Sequence, residues 1–343
     1  MSLPKMYRAL QLAQPGSIDQ FQLAQRALRL PKSNEVLVKV AGCAIAYRDV
    51  LDRKGAFKFI QRPTVLGHEF SGTVVAAGSD VRSLKEGNKV VSVHWDQDAA
   101  WPSPLKAAGA VDSMFGLTCD GGYAEYVVAR AGAFATAPES ISLVDASCLV
   151  STFGTVWHAC VTKAGLKKGD TIAVTGVSGG VGSAMALVAK ALGCTVIGVT
   201  SSADKVEAIR ATTKCDDVVV AINGKYKLST PVDQVLEAVG GPTFTSSLRA
   251  LKPGGALVLI GNVENSVCDL PLGYCILNSI RIIGSDSIPI NEFNNEFVPF
   301  FDRNGLKPWV QEYVSLEGIP HAHQALEGKN ARGRIIADLS LLK

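Results

Sequence analysis

A glycine-rich run stands between an apolar stretch and an alanine-rich one. Thr171-Ile-Ala-Val-Thr175 has the composition of a fully buried strand, and residues 182–192 have that of a helix. Between them lies Gly176-Val-Ser-Gly-Gly-Val-Gly182, with Val177 at the first glycine position of the usual fingerprint. Glycines here let the backbone approach a pyrophosphate, and the helix N-terminus adds free N–H groups. The run therefore predicts a dinucleotide-binding turn, with an ordinary strand-to-helix turn as the alternative. The expected contacts are Gly179, Gly180, Val181 and Gly182.

The end of the next apolar strand, Thr195-Val-Ile-Gly-Val-Thr200, selects between the two nicotinamide dinucleotides. Sites for NAD usually carry an acidic residue there, which holds the ribose 2′-hydroxyl. Thr200 stands at this place, and Ser201, Ser202 and Lys205 follow it. Hydroxyls and an ammonium group can bind a 2′-phosphate, so these residues predict NADPH as the cofactor. The alternative is that one of the serines only caps the following helix.

The elements around this turn divide the chain into two kinds of structure. Before about residue 133, short alternating strands with glycine turns indicate a barrel-like fold. Beyond it, apolar strands alternate with helices, which is typical of a parallel sheet covered on both faces. The last part of the chain returns to a mixed pattern. We therefore predict an α/β protein with one domain at residues 1–132, a second at 133–286, and residues 287–343 returning to the first.

Composition excludes several classes of function. The chain has 343 residues, a net charge of +3 and no basic run, which argues against nucleic acid as a partner. No apolar run reaches the roughly 18 residues of a membrane span, and the first ten residues lack a secretory segment. Eight cysteines without C-x-x-C spacing are typical of reduced thiols. We expect a cytoplasmic protein that acts on a small molecule and has no structural zinc.

Several runs together resemble the medium-chain dehydrogenase/reductase family. Besides the glycine turn they are Gly67-His-Glu-Phe-Ser-Gly72, Asp120-Gly-Gly-Tyr-Ala-Glu-Tyr126, Leu251-Lys-Pro-Gly-Gly255 and Leu259-Ile-Gly-Asn262, in the family's order over nearly the whole chain. The resemblance implies a GroES-like β-barrel catalytic domain and a Rossmann doubly wound parallel-sheet domain, with the active site in the cleft between them. It also implies a homodimer.

The zinc ligands of the family have no full counterpart in this sequence. Zinc-dependent members carry a Cys-His-x-Asp run, a Gly-His-Glu run and a Cys before the domain-crossing helix, and these positions fall on Ala46, His68 and Ser151. One histidine without a thiolate cannot make a three-ligand zinc site, so we predict no metal. Cys43 and Cys148 lie three residues before two of these positions and would be ligands only after two register slips.

The resemblance is strongest to the zinc-independent branch of quinone oxidoreductases and acryloyl-CoA reductases. It implies hydride addition to a C=C bond conjugated to a carbonyl, with a hydrogen-bond donor for the enolate. Tyr47 is the first candidate donor, and His68 is the second. Arg48 is a candidate for binding a phosphate-bearing substrate such as a CoA thioester. The alternatives are that Tyr47 fills space or touches cofactor phosphates, that Arg48 only pairs with Asp49, and that His68 is structural.

Further positions match those that face the nicotinamide in the family. They are Thr155, Gly240, Gly261, Asn262 and Ser285. Arg332 or Arg334 is expected to reach the pyrophosphate, and the other to lie at the surface. His94, His158, His321 and His323 carry no recognisable partner and are expected to be structural.

Three functions stay open at this point. The leading one is an NADPH-dependent reductase of enones, quinones or enoyl thioesters. The second is an alcohol or carbonyl dehydrogenase of the zinc type. The third is a cofactor-binding protein without turnover, because a fold alone does not determine function.

Overall fold

The computed structural model describes residues 3–56, 63–93, 114–261 and 267–341. The chain divides into two compact units. The first comprises Met1–Ser151, Pro289–Arg303 and Val310–Lys343, and the second comprises Thr152–Ile288 and Asn304–Trp309.

The elements are numbered in chain order. The strands are β1 (Met6–Leu12), β2 (Phe21–Ala27), β3 (Glu35–Ile45), β4 (Thr64–Val65), β5 (Glu69–Ala77), β6 (Lys89–Ser92), β7 (Tyr126–Arg130), β8 (Phe134–Thr136), β9 (Thr171–Thr175), β10 (Thr195–Thr200), β11 (Asp217–Val220), β12 (Val232–Glu237), β13 (Leu251–Leu259), β14 (Arg281–Gly284), β15 (Val310–Val314) and β16 (Arg334–Asp338). The α-helices are α1 (Tyr47–Lys54), α2 (Gly180–Leu192), α3 (Val206–Thr213), α4 (Gly241–Arg249), α5 (Leu272–Leu277), α6 (Ile290–Glu292), α7 (Val298–Arg303) and α8 (Ile319–Glu327). Tighter 3-10 turns or wider π turns form other helical ranges, among them Asp145–Cys148, Leu149–Gly154, Trp157–Lys163 and Ala203–Lys205.

The first unit is built on two sheets. One follows the order β15-β16-β3-β5-β6-β8, with β7 also paired to β3, and the other follows β2-β1-β4. All pairs are antiparallel except β15 with β16. Alternating residues of these strands, such as Val36, Val38 and Val40 of β3, point into one apolar core that also contains Phe70 and Phe115. The strand-rich character predicted for the first third of the chain is confirmed.

The second unit contains one parallel sheet of six described strands. Its order is β11-β10-β9-β12-β13-β14, and every pair in it is parallel. The strands β9, β10 and β11 extend the sheet in one direction. β12 then pairs with the other side of β9, and β13 and β14 extend the sheet in the opposite direction, so the strand order reverses between β9 and β12. In such sheets ligands bind at the carboxyl ends of the strands, at this reversal. The predicted doubly wound parallel sheet is confirmed.

The division between the units differs from the boundary expected at residue 133. Phe134–Thr136 forms β8, which pairs with β6 of the first unit, and Asp145–Cys148 packs on β3 and β5. Residues up to Ser151 therefore stay with the first unit. The strand–helix alternation that marked the boundary begins only with Thr171. At its C-terminal end, the second unit extends to Ile288, and it also includes the later segment Asn304–Trp309.

All eight cysteines are free thiols. Every helix within the described ranges is too short or too polar to cross a membrane.

Candidate active site

The glycine turn joins β9 directly to α2. Gly179 precedes the helix, and its N–H donates to the Gly176 carbonyl oxygen at 2.9 Å. A Cβ added at Gly182 would lie 2.3 Å from that same oxygen, so only glycine allows the helix to approach the turn this closely. The first N–H groups of α2 have no acceptor within the helix, as at any helix N-terminus. The predicted strand, turn and helix are all present, and the turn fits a pyrophosphate.

The end of β10 carries the residues predicted to select the cofactor. The Thr200 hydroxyl is buried and accepts the Ser202 N–H at 3.2 Å. Ser202 is half-buried and its side chain caps no helix, which removes the capping alternative for this residue. Ser201 is exposed, and Lys205 is only 7% exposed. Their assignment to a 2′-phosphate stays a prediction.

Beyond the reversal point, β12 ends at a buried carboxylate that the sequence analysis missed. Glu237 is fully buried, and its Oε1 accepts the N–H groups of Val239 and Gly240 at 2.9 and 3.0 Å. Gly240 has φ of 109° and ψ of −139°, a conformation that requires glycine. The turn after β12, residues 238–240, is therefore held in one shape.

Two other predicted cofactor positions, Gly261 and Ser285, lie at the same edge of the sheet. A Cβ at Gly261 would lie 2.4 Å from the Ala238 carbonyl oxygen, so close packing of two chain segments explains this glycine. Ser285 follows β14, and its hydroxyl donates to the Asp286 carbonyl oxygen at 3.2 Å. Thr155 is half-buried within the helical stretch before β9. Asn262 lies outside the described residues.

In the first unit, two glycine motifs pack against each other and position His68. The Gly122 N–H donates to the Gly67 carbonyl oxygen at 2.6 Å, and the Tyr123 N–H donates to that of Leu66 at 3.0 Å. Gly67 has a φ of 93°, and a Cβ there would lie 2.5 Å from the Tyr123 ring. The two runs that carried much of the family resemblance thus form one local structure.

His68 is held by a carboxylate. Its Nδ1 lies 3.0 Å from Asp49 Oδ1, and Asp49 Oδ2 accepts the Ala46 N–H at 2.9 Å. Burial would raise the pKa of Asp49, but the charge and hydrogen bond of His68 outweigh it, so the pKa lies below its usual range. An ionised carboxylate only accepts, so Nδ1 carries a proton. In the neutral ring, Nε2 is then the basic nitrogen.

Arg48 pairs with Asp52, a carboxylate one turn further along α1. Its Nε lies 3.3 Å from Asp52 Oδ2, because residues four apart share a helix face whereas adjacent ones do not. Its side chain is 17% exposed, and Nη2 also lies 3.5 Å from the Phe115 carbonyl oxygen.

The residues around His68 do not fit a catalytic zinc ion. Ala46 has no donor atom, and Ser151 offers only a hydroxyl, which is buried without a hydrogen-bond partner in the described ranges. Cys43 lies against Gly67 and Gly122 in the core, and Cys148 packs with Ala44 and Ile336. Burial raises the pKa of both thiols, which opposes the thiolate that zinc requires. In the described part of the chain, no three His, Cys, Asp or Glu residues are grouped so that they could hold a metal.

Three further side chains have positions that sequence alone did not give. Arg334 is buried and pairs with Glu69 at 3.1 Å, so it is not at the surface. The Arg332 N–H donates to Gln311 Oε1 at 2.6 Å, and the residue is half-buried. Tyr47 begins α1, is half-buried, and makes no hydrogen bond through its hydroxyl to any described residue. Tyr47 thus has a donor available for a ligand.

His323 has partners, contrary to expectation. Its Nε2 lies 3.0 Å from the Tyr123 hydroxyl and its Nδ1 lies 3.4 Å from Arg53 Nε. Burial lowers the pKa of His323 to about 4, so the ring is neutral at pH 7. The guanidinium can only donate, so Nδ1 accepts and Nε2–H donates to Tyr123. The expected structural role of His323 is consistent with this fully buried position.

The predicted site residues fall in both units. Tyr47, Arg48, His68 and Arg332 belong to the first, and the glycine turn and the remaining described cofactor positions belong to the second. Except for Thr155, those of the second unit all follow the carboxyl ends of its strands. Their roles toward a ligand stay predictions.

Comparison with known proteins gives matches along nearly the whole chain. Residues 32–139 match the family described as alcohol dehydrogenase GroES-like domain, and residues 180–303 match that described as zinc-binding dehydrogenase. The chain is 30% identical over 326 residues to an acryloyl-coenzyme A reductase of Sulfurisphaera tokodaii, covering 94% of this chain and 97% of the relative. It is 32% identical over 311 residues to one from Metallosphaera sedula, covering 89% and 92%. The crystal structure of AibC superposes with a TM-score of 0.86 at 29% identity and covers 97% of this chain and 96% of its own.

Proposed function

Because the chain belongs to the medium-chain dehydrogenase/reductase superfamily, and is therefore an oxidoreductase with a nicotinamide cofactor, we propose that it is a zinc-independent, NADPH-dependent reductase of C=C bonds conjugated to a carbonyl. The acceptor class that we favour is an enoyl-CoA thioester. Similarity to two acryloyl-coenzyme A reductases over about nine tenths of the chain or more supports that choice.

The observation that carries the proposal is the set of side chains at the three positions where zinc-dependent members of the family carry their metal ligands, namely Ala46, His68 and Ser151. Without a Lewis acid there, oxidation of a simple alcohol loses its main electrostatic assistance. His68 keeps its carboxylate partner Asp49, while Ala46 and Ser151 supply no thiolate. Reduction of an activated C=C bond needs only a donor to the enolate oxygen. The Tyr47 hydroxyl can provide one, and His68 can do so only as an imidazolium, through Nε2–H, because Asp49 holds its Nδ1–H.

The chain's own residues bind and position the cofactor and the substrate. When bound, NADPH supplies the hydride. The glycine turn and the N-terminus of α2 bind its pyrophosphate, and Ser201, Ser202 and Lys205 bind its 2′-phosphate. Residues 238–240 and Gly261 shape the edge that receives the nicotinamide. Arg332 contacts the pyrophosphate, and Arg48 meets the phosphates of a CoA thioester.

The test is a panel of acceptors with the zinc content measured on the same preparation. We expect NADPH oxidation with enoyl-CoA thioesters, weaker rates with enones and quinones, well under one zinc per chain, and activity that survives a chelator. Stoichiometric zinc with oxidation of a primary alcohol would instead support a zinc-type dehydrogenase. Tight NADPH binding without turnover on any acceptor would support a binding protein.

Cofactor choice is tested at Lys205. Lys205→Ala should raise the dissociation constant of NADPH at least about 10-fold, roughly 1.4 kcal/mol, and leave that of NADH nearly unchanged, because only NADPH carries the 2′-phosphate. The readout is titration of both cofactors by fluorescence. Lys168→Ala, an exposed lysine before β9 at the opposite edge of the sheet, is the control and should affect neither. Equal loss of both cofactors in Lys205→Ala would contradict the assignment.

We also propose a homodimer, through an apolar edge of the second unit. β14 is the last strand of its sheet. Leu272, Ile276 and Leu277 of α5 are 65, 74 and 86% exposed, and Ile282 of β14 is 39% exposed. An unpaired strand beside apolar side chains is typical of a self-complementary interface. Ile276→Glu with Leu277→Glu should halve the molar mass measured by light scattering. A monomeric wild-type protein would contradict the proposal.

The eight free thiols support a cytoplasmic location, which we include in the proposal.

A further inference from the structure

Glu237 is a buried carboxylate surrounded by hydrogen-bond donors. It is fully buried, and no Lys, Arg or His lies within ion-pair distance among the described residues. Besides the two backbone N–H groups of Val239 and Gly240, hydroxyls surround it. Those of Thr175 and Thr243 lie 3.0 and 2.7 Å from Oε1, and that of Ser247 donates to Oε2. Burying an anion is costly unless its lone pairs are satisfied, and here the fold satisfies them.

The donors belong to the segments that meet where the strand order reverses. Thr175 ends β9, and its hydroxyl oxygen also accepts the Ala238 N–H at 2.9 Å. Thr243 and Ser247 belong to α4, whose positive N-terminal end favours a negative charge nearby. The turn at residues 238–240 lies beside the glycine turn, since a Cβ at Gly176 would be 3.4 Å from Val239 Cγ2. Glu237 thus connects both strands at the reversal with the turn between β12 and α4.

We propose that Glu237 is a positioning residue for the nicotinamide half of the cofactor. It does so by fixing residues 238–240, against which Gly261 packs, and it does not touch the reacting atoms. The proposal rests on the proposed function insofar as NADPH is the ligand. A carboxylate that only capped α4 would accept backbone N–H groups from the first turn of the helix, at Gly241 and beyond. Glu237 instead accepts the N–H groups of Val239 and Gly240, which precede the helix. The two N–H groups of the turn and the link to β9 go beyond a cap.

The test separates the two halves of the cofactor. Adenosine 2′,5′-bisphosphate carries the adenosine and the 2′-phosphate but no nicotinamide, so its contacts lie on the β9 and β10 side. Calorimetric titration with NADPH and with this fragment is made on Glu237→Ala, Glu237→Gln and Ser247→Ala. Glu237→Ala leaves the N–H groups of Val239 and Gly240 without this acceptor and should raise the NADPH dissociation constant at least about 10-fold. Glu237→Gln keeps one acceptor oxygen but no charge and should raise it about 3- to 10-fold.

The fragment and the serine variant are the controls. Binding of the fragment should stay within about twofold in both Glu237 variants, and Ser247→Ala, which removes a donor on α4 and leaves the turn intact, should bind NADPH within about threefold of wild type. Equal loss of NADPH and fragment, or unchanged NADPH affinity, would overturn the proposal. If Glu237→Ala does not fold, the same two readings on Glu237→Gln decide. Failure of the proposed function is distinguishable, because wild type would then either bind neither ligand, or bind NADPH without turning over any acceptor of the panel.

Discussion

Tyr47→Phe is expected to lower turnover on an enoyl thioester or enone by about 10- to 1000-fold while NADPH affinity stays within about twofold. The physical reason is that the enolate oxygen develops its charge during the reaction, and one well-placed donor is worth roughly 3–4 kcal/mol at that moment. The Tyr47 hydroxyl bonds to no described residue and stands at the start of α1, directly after Ala46, which falls on a zinc-ligand position of the family. Steady-state kinetics and cofactor titration on the same variant measure the turnover rate and the NADPH dissociation constant.

A matched variant and a rival variant make the result interpretable. Tyr126→Phe removes a hydroxyl from a half-buried tyrosine of β7 in the same unit and should leave turnover unchanged. His68→Ala tests the rival donor, which would have to use Nε2–H of the imidazolium because Asp49 holds its Nδ1–H. Unchanged turnover in Tyr47→Phe with a large loss in His68→Ala would transfer the role to His68. Collapse of NADPH affinity in Tyr47→Phe would place the tyrosine at the cofactor phosphates instead.

Features that depend on neighbouring residues were predictable from the sequence. The turn from Gly176 to Gly182 is recognisable because a strand, its glycines and the helix that follows are consecutive. The parallel sheet was predictable for a related reason, since strands buried on both faces are apolar throughout their length. The motifs also indicated the family, which the whole-chain matches confirm. The pairing of Arg48 with Asp52 could also have been predicted, because residues four apart lie on the same face of a helix.

Features that depend on distant residues were not predictable. The carboxylate of Glu237 is hydrogen-bonded to Thr175, 62 positions earlier, and His323 is hydrogen-bonded to Tyr123, 200 positions earlier. Nothing in the sequence near these residues marks such pairs. The boundary between the units was placed too early for the same reason, since Phe134–Thr136 joins the first unit only by pairing with β6. Hydrogen bonds across a fold do not leave a local pattern.

The second large effect is expected for alanine substitutions at Gly179 and Gly182 of the glycine turn, because the two variants should differ in NADPH affinity and in thermal stability. Gly179 has extended backbone angles, φ −88° and ψ 174°, and a Cβ there would have 3.4 Å to its nearest neighbour, so alanine fits the folded protein. Gly179→Ala should therefore keep the melting temperature but raise the NADPH dissociation constant about 10- to 100-fold, because a methyl group keeps the pyrophosphate away from the backbone.

Gly182→Ala should lose both binding and stability. Its Cβ would meet the Gly176 carbonyl oxygen at 2.3 Å, and forcing an atom into such a packed contact typically costs about 1–3 kcal/mol. In a unit of this size that lowers the melting temperature by several degrees, roughly 2–4 °C per kcal/mol. Thermal melts and NADPH titrations on both variants give the comparison. Normal NADPH binding by Gly179→Ala would mean that the turn does not receive the pyrophosphate, and the nucleotide site would then have to lie elsewhere on the sheet.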